Sequence, residues 1–215
     1  MSFHYTTTAR GEKLDAELYF DDVAVFRTIV GPIANNVFIV QCLQTGDSIL
    51  IDAANEHDKL LELSKTLGVK QVVETHGHWD HIGAVEAVRE AGIDVSVSIQ
   101  DARRLPSYDQ IIEDEQLIPF GQQSLRVLFT PGHTEGSLCF ELVDHPVIFS
   151  GDTLFPGGPG ATTFEGGDFH TIIESIESRL FKLYPKETLV LPGHGSYTTL
   201  GAESPHLEEW IERGW

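Results

Sequence analysis

The stretch His76-Gly77-His78-Trp79-Asp80-His81 places three imidazoles and a carboxylate within six consecutive residues. Clustered imidazoles repel one another once protonated and have no packing purpose of their own, so the cluster points to a cation that they share. Residues i and i+2 of an extended segment point the same way, so His76 and His78 can face one ion. Asp80 and His81 follow about a turn later, as the chain enters an expected helix, and can face a neighbouring position. Three further donors each follow an apolar run: "LRVLFTPG" leads to His133, "PVIFSG" to Gly151 and then Asp152, and "TLVLPG" to His194. Alone, either histidine would read as an ordinary surface or core residue, and Asp152 as a turn residue. Beside the 76–81 cluster all three read as donors. Imidazole and carboxylate without thiolate suit Zn²⁺, and also Fe or Mn. Seven donors exceed what one tetrahedral zinc uses, and match two divalent ions about 3.5–4 Å apart that share a carboxylate.

For such donors to meet, several strands must end at one rim, where loops can carry function. The runs "AELYF", "VAVFRTI", "NVFIVQC" and "SILIDAA" read as strands rich in Val, Ile and Phe. In "NEHDKLLELSKTLG", Leu60, Leu63 and Leu67 recur at helical spacing and Gly68 is placed to end the helix. "VKQVVETH" is a strand, "DHIGAVEAVREAG" a second helix and "DVSVSIQ" a further strand. Residues 101–119 read as a short helix and a long loop. Strands resume in "SLRVLFT", "SLCFELV" and "PVIFSG". A helix capped by Asp168 follows in "DFHTIIESIESRLFKL", then a strand in "ETLVLPG" and a short helix in the tail. Both halves share this rhythm, which suits two packed sheets with helices outside.

The totals exclude several classes. The 215 residues are 41% hydrophobic and 22% charged, a globular composition. They read as one domain over residues 1–215. A formal net charge of −19 repels phosphate backbones and anionic lipid, which argues against nucleic-acid and membrane partners. No apolar run is long enough to cross a bilayer, and "MSFHYTTTARGEKLD" lacks the apolar segment of an export signal, so a cytoplasmic location is expected. Cys42 and Cys139 form no metal-type pair and read as buried thiols. His4, His57, His145, His170 and His206 have no comparable setting and read as solvated.

The ordered set His76, His78, Asp80, His81, His133, Asp152 and His194 resembles the metallo-β-lactamase superfamily signature. Within it, "FSGDTLFPGGPG", "TPGHTEGSLCF" and "LPGHGSYTTLGAESPH" look most like short glyoxalase II (hydroxyacylglutathione hydrolase) enzymes. The resemblance implies an α/β fold, a four-layer αββα sandwich of two mixed β-sheets flanked by helices, with two metals at one edge. It implies that His76, His78 and His133 hold one ion, that Asp80, His81 and His194 hold the other, and that Asp152 bridges them. The implied activity is hydrolysis of a small thioester or related acyl substrate. Water bound by two cations has its pKa lowered from about 15.7 toward about 7, and Asp80 can orient it. A departing thiolate needs little protonation, since a thiol pKa is only about 8.5. Tyr108, Phe155, Phe164 and Tyr197 are candidates for lining the substrate pocket. One departure stands out: Ala161 occupies the place where glyoxalase-type sequences carry Arg or Lys. That favours a thiol carrier other than glutathione, or a neutral acyl substrate. The rival readings are a mononuclear iron persulfide dioxygenase and a lactonase or β-lactamase of the same superfamily. A purely structural metal module is disfavoured, because structural zinc uses four closed ligands.

Overall fold

Val37-Phe38-Ile39-Val40 is apolar at every position, so a strand made of it must be covered on both faces. In the computed structural model, which describes residues 5–7 and 13–214, this run lies inside an eight-stranded sheet. In spatial order the sheet runs β1 (Tyr5–Thr7), β2 (Lys13–Tyr19), β3 (Val23–Val30), β4 (Asn35–Cys42), β5 (Ser48–Ile51), β6 (Val69–Val73), β7 (Asp94–Val97) and β8 (Gln110–Ile111). Neighbours are antiparallel from β1 to β5 and parallel from β5 to β8. The crossovers between β5, β6 and β7 are made by α1 (His57–Leu67) and α2 (Val85–Glu90).

The second sheet has six strands: β9 (Leu117–Phe120), β10 (Gln123–Phe129), β11 (Leu138–Leu142), β12 (Val147–Gly151), β15 (Leu189–Pro192) and β16 (Thr198–Thr199). A small ribbon, β13 (Leu154–Phe155) with β14 (Gly158–Pro159), follows β12 in the chain. The helix α3 (Phe169–Ser175), continued by a π-helical stretch Ile176–Phe181, leads from there to β15, which pairs parallel with β12. The short helices α4 (Leu200–Glu203) and α5 (Leu207–Arg213) follow β16.

Three apolar clusters correspond to the three interfaces of a four-layer sandwich. Val37 and Ile39 face Leu60, Leu63 and Leu67 of α1 and Val85 and Val88 of α2. Phe38 and Val40 face the other way, onto Leu125, Phe140 and Phe149 of the second sheet. On its far side that sheet presents Leu128, Ile148 and Val190 to Ile172, Ile176, Leu180 and Trp210. The period of two within each strand thus assigns alternate residues to different layers. Gly68 ends α1 at φ 74° and donates its N–H to the Ser64 carbonyl, and Asp168 caps α3 through the Thr171 N–H at 2.7 Å.

Three local expectations need correction. The second helix starts at Val85, not at Asp80. Residues 80–84 form turns tethered to the loop after β5, through Gly83 N–H to the Ala54 carbonyl and Ala84 N–H to the Ala53 carbonyl, both at 2.8 Å. A Cβ on Gly83 would meet the Ala54 oxygen at 2.7 Å, so the close approach depends on glycine. Residues 101–119 are less irregular than expected: β8 pairs with β7, and β9 turns Ile118 and Phe120 into the inter-sheet core. Their two- and four-residue lengths, with Pro119 in the second, hide them from periodicity. His145 is not solvated: its Nε2 lies 2.9 Å from Asp22 and its ring packs edge-on to Phe20. His57, His170 and His206 are exposed, and His4 lies outside the described residues.

Candidate metal centre

Strands β6, β10, β12 and β15 end at one edge of the two sheets, and the loops leaving them carry all seven expected donors. Three groups of donors each lie within 4.8 Å of one another: His76, His78 and His133; His76, His81 and Asp152; and Asp80, His81 and His194. In the first group the rings stand edge to face, with centroids 4.6–4.8 Å apart. In the last, the Nε2 atoms of His81 and His194 are each 3.2 Å from Asp80 Oδ2 and 3.3 Å from each other. Asp152 lies between them. Its Oδ2 is 3.6 Å from His133 Nε2 and from His194 Nε2, and its Oδ1 is 3.6 Å from His81 Nε2.

The far side of four of the five rings is held by the protein. His81 Nδ1 is 2.7 Å from Asp52 Oδ2, His133 Nδ1 is 2.7 Å from the Ala161 carbonyl, and His194 Nδ1 is 3.2 Å from the Ile33 carbonyl. A carbonyl or carboxylate can only accept, so these Nδ1 atoms carry the proton and each Nε2 keeps its lone pair toward the cluster. His76 Nδ1 lies 3.0 Å from Thr75 Oγ1, and His78 is turned the other way, with Nδ1 3.1 Å from His76 Nε2. Asp52 also accepts from Thr75 N–H at 2.7 Å and Thr75 Oγ1 at 2.8 Å. Asn35 donates to Asp80 Oδ2 at 2.8 Å. The chain meets these needs locally: Asp52 follows β5 at φ 65°, and Asn35 opens β4.

Electrostatics favours a bound cation. Burial lowers the pKa of His76, and the neighbouring imidazoles of His81, His133 and His78 lower it further. Burial and His133 bring His78 down to about 4, and burial also lowers His133. These rings are therefore neutral near pH 7 and offer lone pairs. His81 goes the other way: burial opposes its protonation, but the carboxylates of Asp152 and Asp52 outweigh it and raise its pKa. Burial acts to raise the Asp80 and Asp152 carboxyls, yet the histidines around them hold both below the usual range. His133 Nε2 and Asp152 Oδ1 are buried without a hydrogen-bond partner. Buried polar atoms are nearly always satisfied, so two orphans facing one cluster of lone pairs fit a divalent cation.

A cavity of about 250 Å³ opens over the donors, lined by His78, Asp80, His133, Asp152 and His194 together with Ile33, Trp79 and Phe164. A larger hollow of about 370 Å³, lined by Glu86, Arg89, Glu90 and Ser107, holds no comparable donor cluster. Of the four side chains expected to line a substrate pocket, Phe164 is at the cavity, its ring edge-on to His78 at 5.5 Å. Tyr108, Phe155 and Tyr197 are not among the lining residues. Tyr197 instead packs toward Phe38 at 6.1 Å, with the Arg27 guanidinium 5.0 Å from its ring. Sequence reasoning missed Asp52, Thr75 and Asn35, and also Ile33 and Trp79. Trp79 had a usable signal, because a large apolar residue between His78 and Asp80 has no core to enter.

A model of the metallo-β-lactamase superfamily matches residues 30–194. The chain belongs to that superfamily. A relative described as a hydroxyacylglutathione hydrolase, from Thermosynechococcus vestitus, is 35% identical over 188 residues, which is 81% of this chain and 72% of the relative. A solved structure of TTHA1623 in a di-iron-bound form is 34% identical, with a TM-score of 0.73 over 83% of this chain and 96% of that one. The B3 metallo-β-lactamase BLEG-1 is 28% identical, with a TM-score of 0.77 over 85% and 97% of the two chains. Metallo-β-lactamase-superfamily hydrolases depend on metal, and the donor groups described here could bind it. No helix among the described residues is long and apolar enough to cross a membrane.

Proposed function

We propose that this member of the superfamily is a dinuclear metal-dependent hydrolase of the glyoxalase II type, acting on a small thioester. The observation that carries the reading is Asp152, which lies 3.6 Å from His133 of one donor set and 3.6 Å from both His81 and His194 of the other. In this reading His76, His78 and His133 hold one ion, Asp80, His81 and His194 the second, and Asp152 is shared. The ions, zinc by donor type with iron or manganese as alternatives, supply Lewis acidity and water of lowered pKa. Ala161 and Ile33 fix the tautomers of His133 and His194 through their carbonyls, and Asp52 fixes that of His81. Asp80, held by Asn35, accepts a hydrogen bond from the attacking water and aims it at the substrate carbonyl. The leaving thiolate departs without a protein acid. The hydroxyacylglutathione hydrolase relative supports a thioester substrate. Residues 1–215 act as one domain in this account, because both sheets contribute donors, and the protein works in the cytoplasm.

Asp152→Ala tests the reading. The purified variant should fold, by far-ultraviolet circular dichroism, yet lose metal and thioesterase activity. Full metal content in the variant would refute the shared-ligand role. A wild-type protein holding one iron and consuming oxygen with a persulfide would replace hydrolysis altogether.

A further inference from the structure

The mouth of the metal cavity is apolar where it meets solvent. Ile33, Trp79 and Phe164 line it and are 49%, 64% and 58% exposed. They come from three separate segments: the turn between β3 and β4, the 76–81 loop, and the loop before α3. Single exposed apolar residues are ordinary, but three that converge on one cavity mark a binding surface. Phe164 is fixed over the centre, with its ring edge-on to His78 at 5.5 Å and to His133 at 6.5 Å.

Among the described residues, no Lys or Arg lines this cavity. The nearby guanidinium of Arg104 is engaged elsewhere. It donates to the Glu165 carbonyl at 2.8 Å and pairs with the buried Asp101 at 3.5 Å, bracing the loop that carries Phe164. With the proposed ions engaged by the reacting carbonyl, a second carboxylate at the mouth would leave water without gaining a Lys or Arg partner, and the chain's net charge of −19 adds repulsion. An uncharged apolar group would instead cover Trp79 and Phe164 and gain aromatic contact.

We infer that Ile33, Trp79 and Phe164 form a specificity collar that admits thioesters flanked by uncharged, apolar groups and discriminates against carboxylate-bearing thiols such as glutathione. This rests on the thioesterase reading, so hydrolysis and binding are tested separately. The metal-loaded enzyme is assayed on S-phenylacetyl-N-acetylcysteamine and S-phenylacetylglutathione, which share an acyl group and differ in the charge of the leaving thiol. The neutral thioester should show a kcat/KM at least about tenfold higher. Trp79→Ala and Phe164→Ala should each erode that ratio, mainly through KM. An equal or better rate with the glutathione thioester, or variants that slow both substrates alike, would overturn the collar. If neither thioester is hydrolysed, the thioesterase reading fails and the collar is judged by binding. Quenching of tryptophan fluorescence that is lost in Trp79→Phe should report tighter binding of N-acetyl-S-benzylcysteamine than of S-benzylglutathione. Equal binding, or none, would overturn it. So would dimerisation abolished by Trp79→Ala, which would make the apolar mouth a subunit contact.

Discussion

Asp52→Asn is the most discriminating perturbation of the centre, because it exchanges one acceptor oxygen for an NH2 donor with almost no change in volume. Asp52 is 2% exposed and accepts three hydrogen bonds, from Thr75 N–H, Thr75 Oγ1 and His81 Nδ1, at 2.7–2.8 Å. Its φ of 65° is a conformation that asparagine tolerates well, so the backbone resists little. In the variant, the amide oxygen can keep Thr75 N–H, and the Thr75 hydroxyl can reverse and accept. His81 has no such freedom. Its Nδ1 now faces an N–H donor, so the ring proton moves to Nε2, which points at Asp80, Asp152 and His194. The lone pair meant for the ion is then blocked. Removing an outer partner of a metal-bound histidine costs about 10–100-fold in affinity, or about 1.4–2.7 kcal/mol. Competition between apoprotein and a chromogenic chelator at pH 7.5 measures this, with a thermal melt of the apoprotein as a control for folding. Affinity within about twofold of wild type would show that the Asp52–His81 contact does not set the tautomer, and the ligand role of His81 would fall with it.

Metal affinity should depend on pH through the same ring. The His81 pKa is raised by Asp152 and Asp52, so its proton competes with the ion at and above the usual imidazole range, whereas His78, at about 4, does not compete there. Affinity should therefore climb as pH rises from 6 and flatten once the raised pKa is passed; chelator competition across that range checks the sign, and a flat profile would contradict it. A Cβ on Gly193 would fall 2.4 Å from Asp152 Oδ1 and 2.8 Å from His81 Cε1. Gly193→Ala should accordingly displace Asp152 and deplete bound metal, read by elemental analysis, while the secondary structure by circular dichroism persists.

The convergence of the seven expected donors was legible because their constraints are short-range and chemical. Four histidine- or aspartate-bearing loops each directly follow an apolar strand, and strand ends of packed sheets share a rim. The groups that orient the donors were not legible. Asp52, Thr75 and Asn35 are common turn and strand residues, and their role depends on contacts between segments far apart in the chain, which no periodicity encodes. The entrance shows the same limit in reverse. Tyr197 is three residues from His194 and looked close to the chemistry, yet its ring turns toward Phe38 and the inter-sheet core. Trp79, flanked by polar donors, had nowhere to go but outward. The turn at 80–84 defeated a helical pattern because Gly83 and Ala84 give their N–H groups to residues 53 and 54 instead of to a preceding helical turn.

The donor loops come from different sheets: His76 through His81 leave the first, while His133, Asp152 and His194 leave the second. Asn36 in β4 already stitches the two, donating its side-chain amide to the Pro192 and Gly195 carbonyls at 2.9 and 3.0 Å. An ion seated among these loops acts as a rivet through both layers. Sliding one sheet against the other must eject it, and its presence must resist that slide. At a free concentration a hundredfold above its Kd, one such fastener adds about 2.7 kcal/mol to the docked state. Because each sheet carries only part of the donor set, the full set is assembled only where the two sheets are docked.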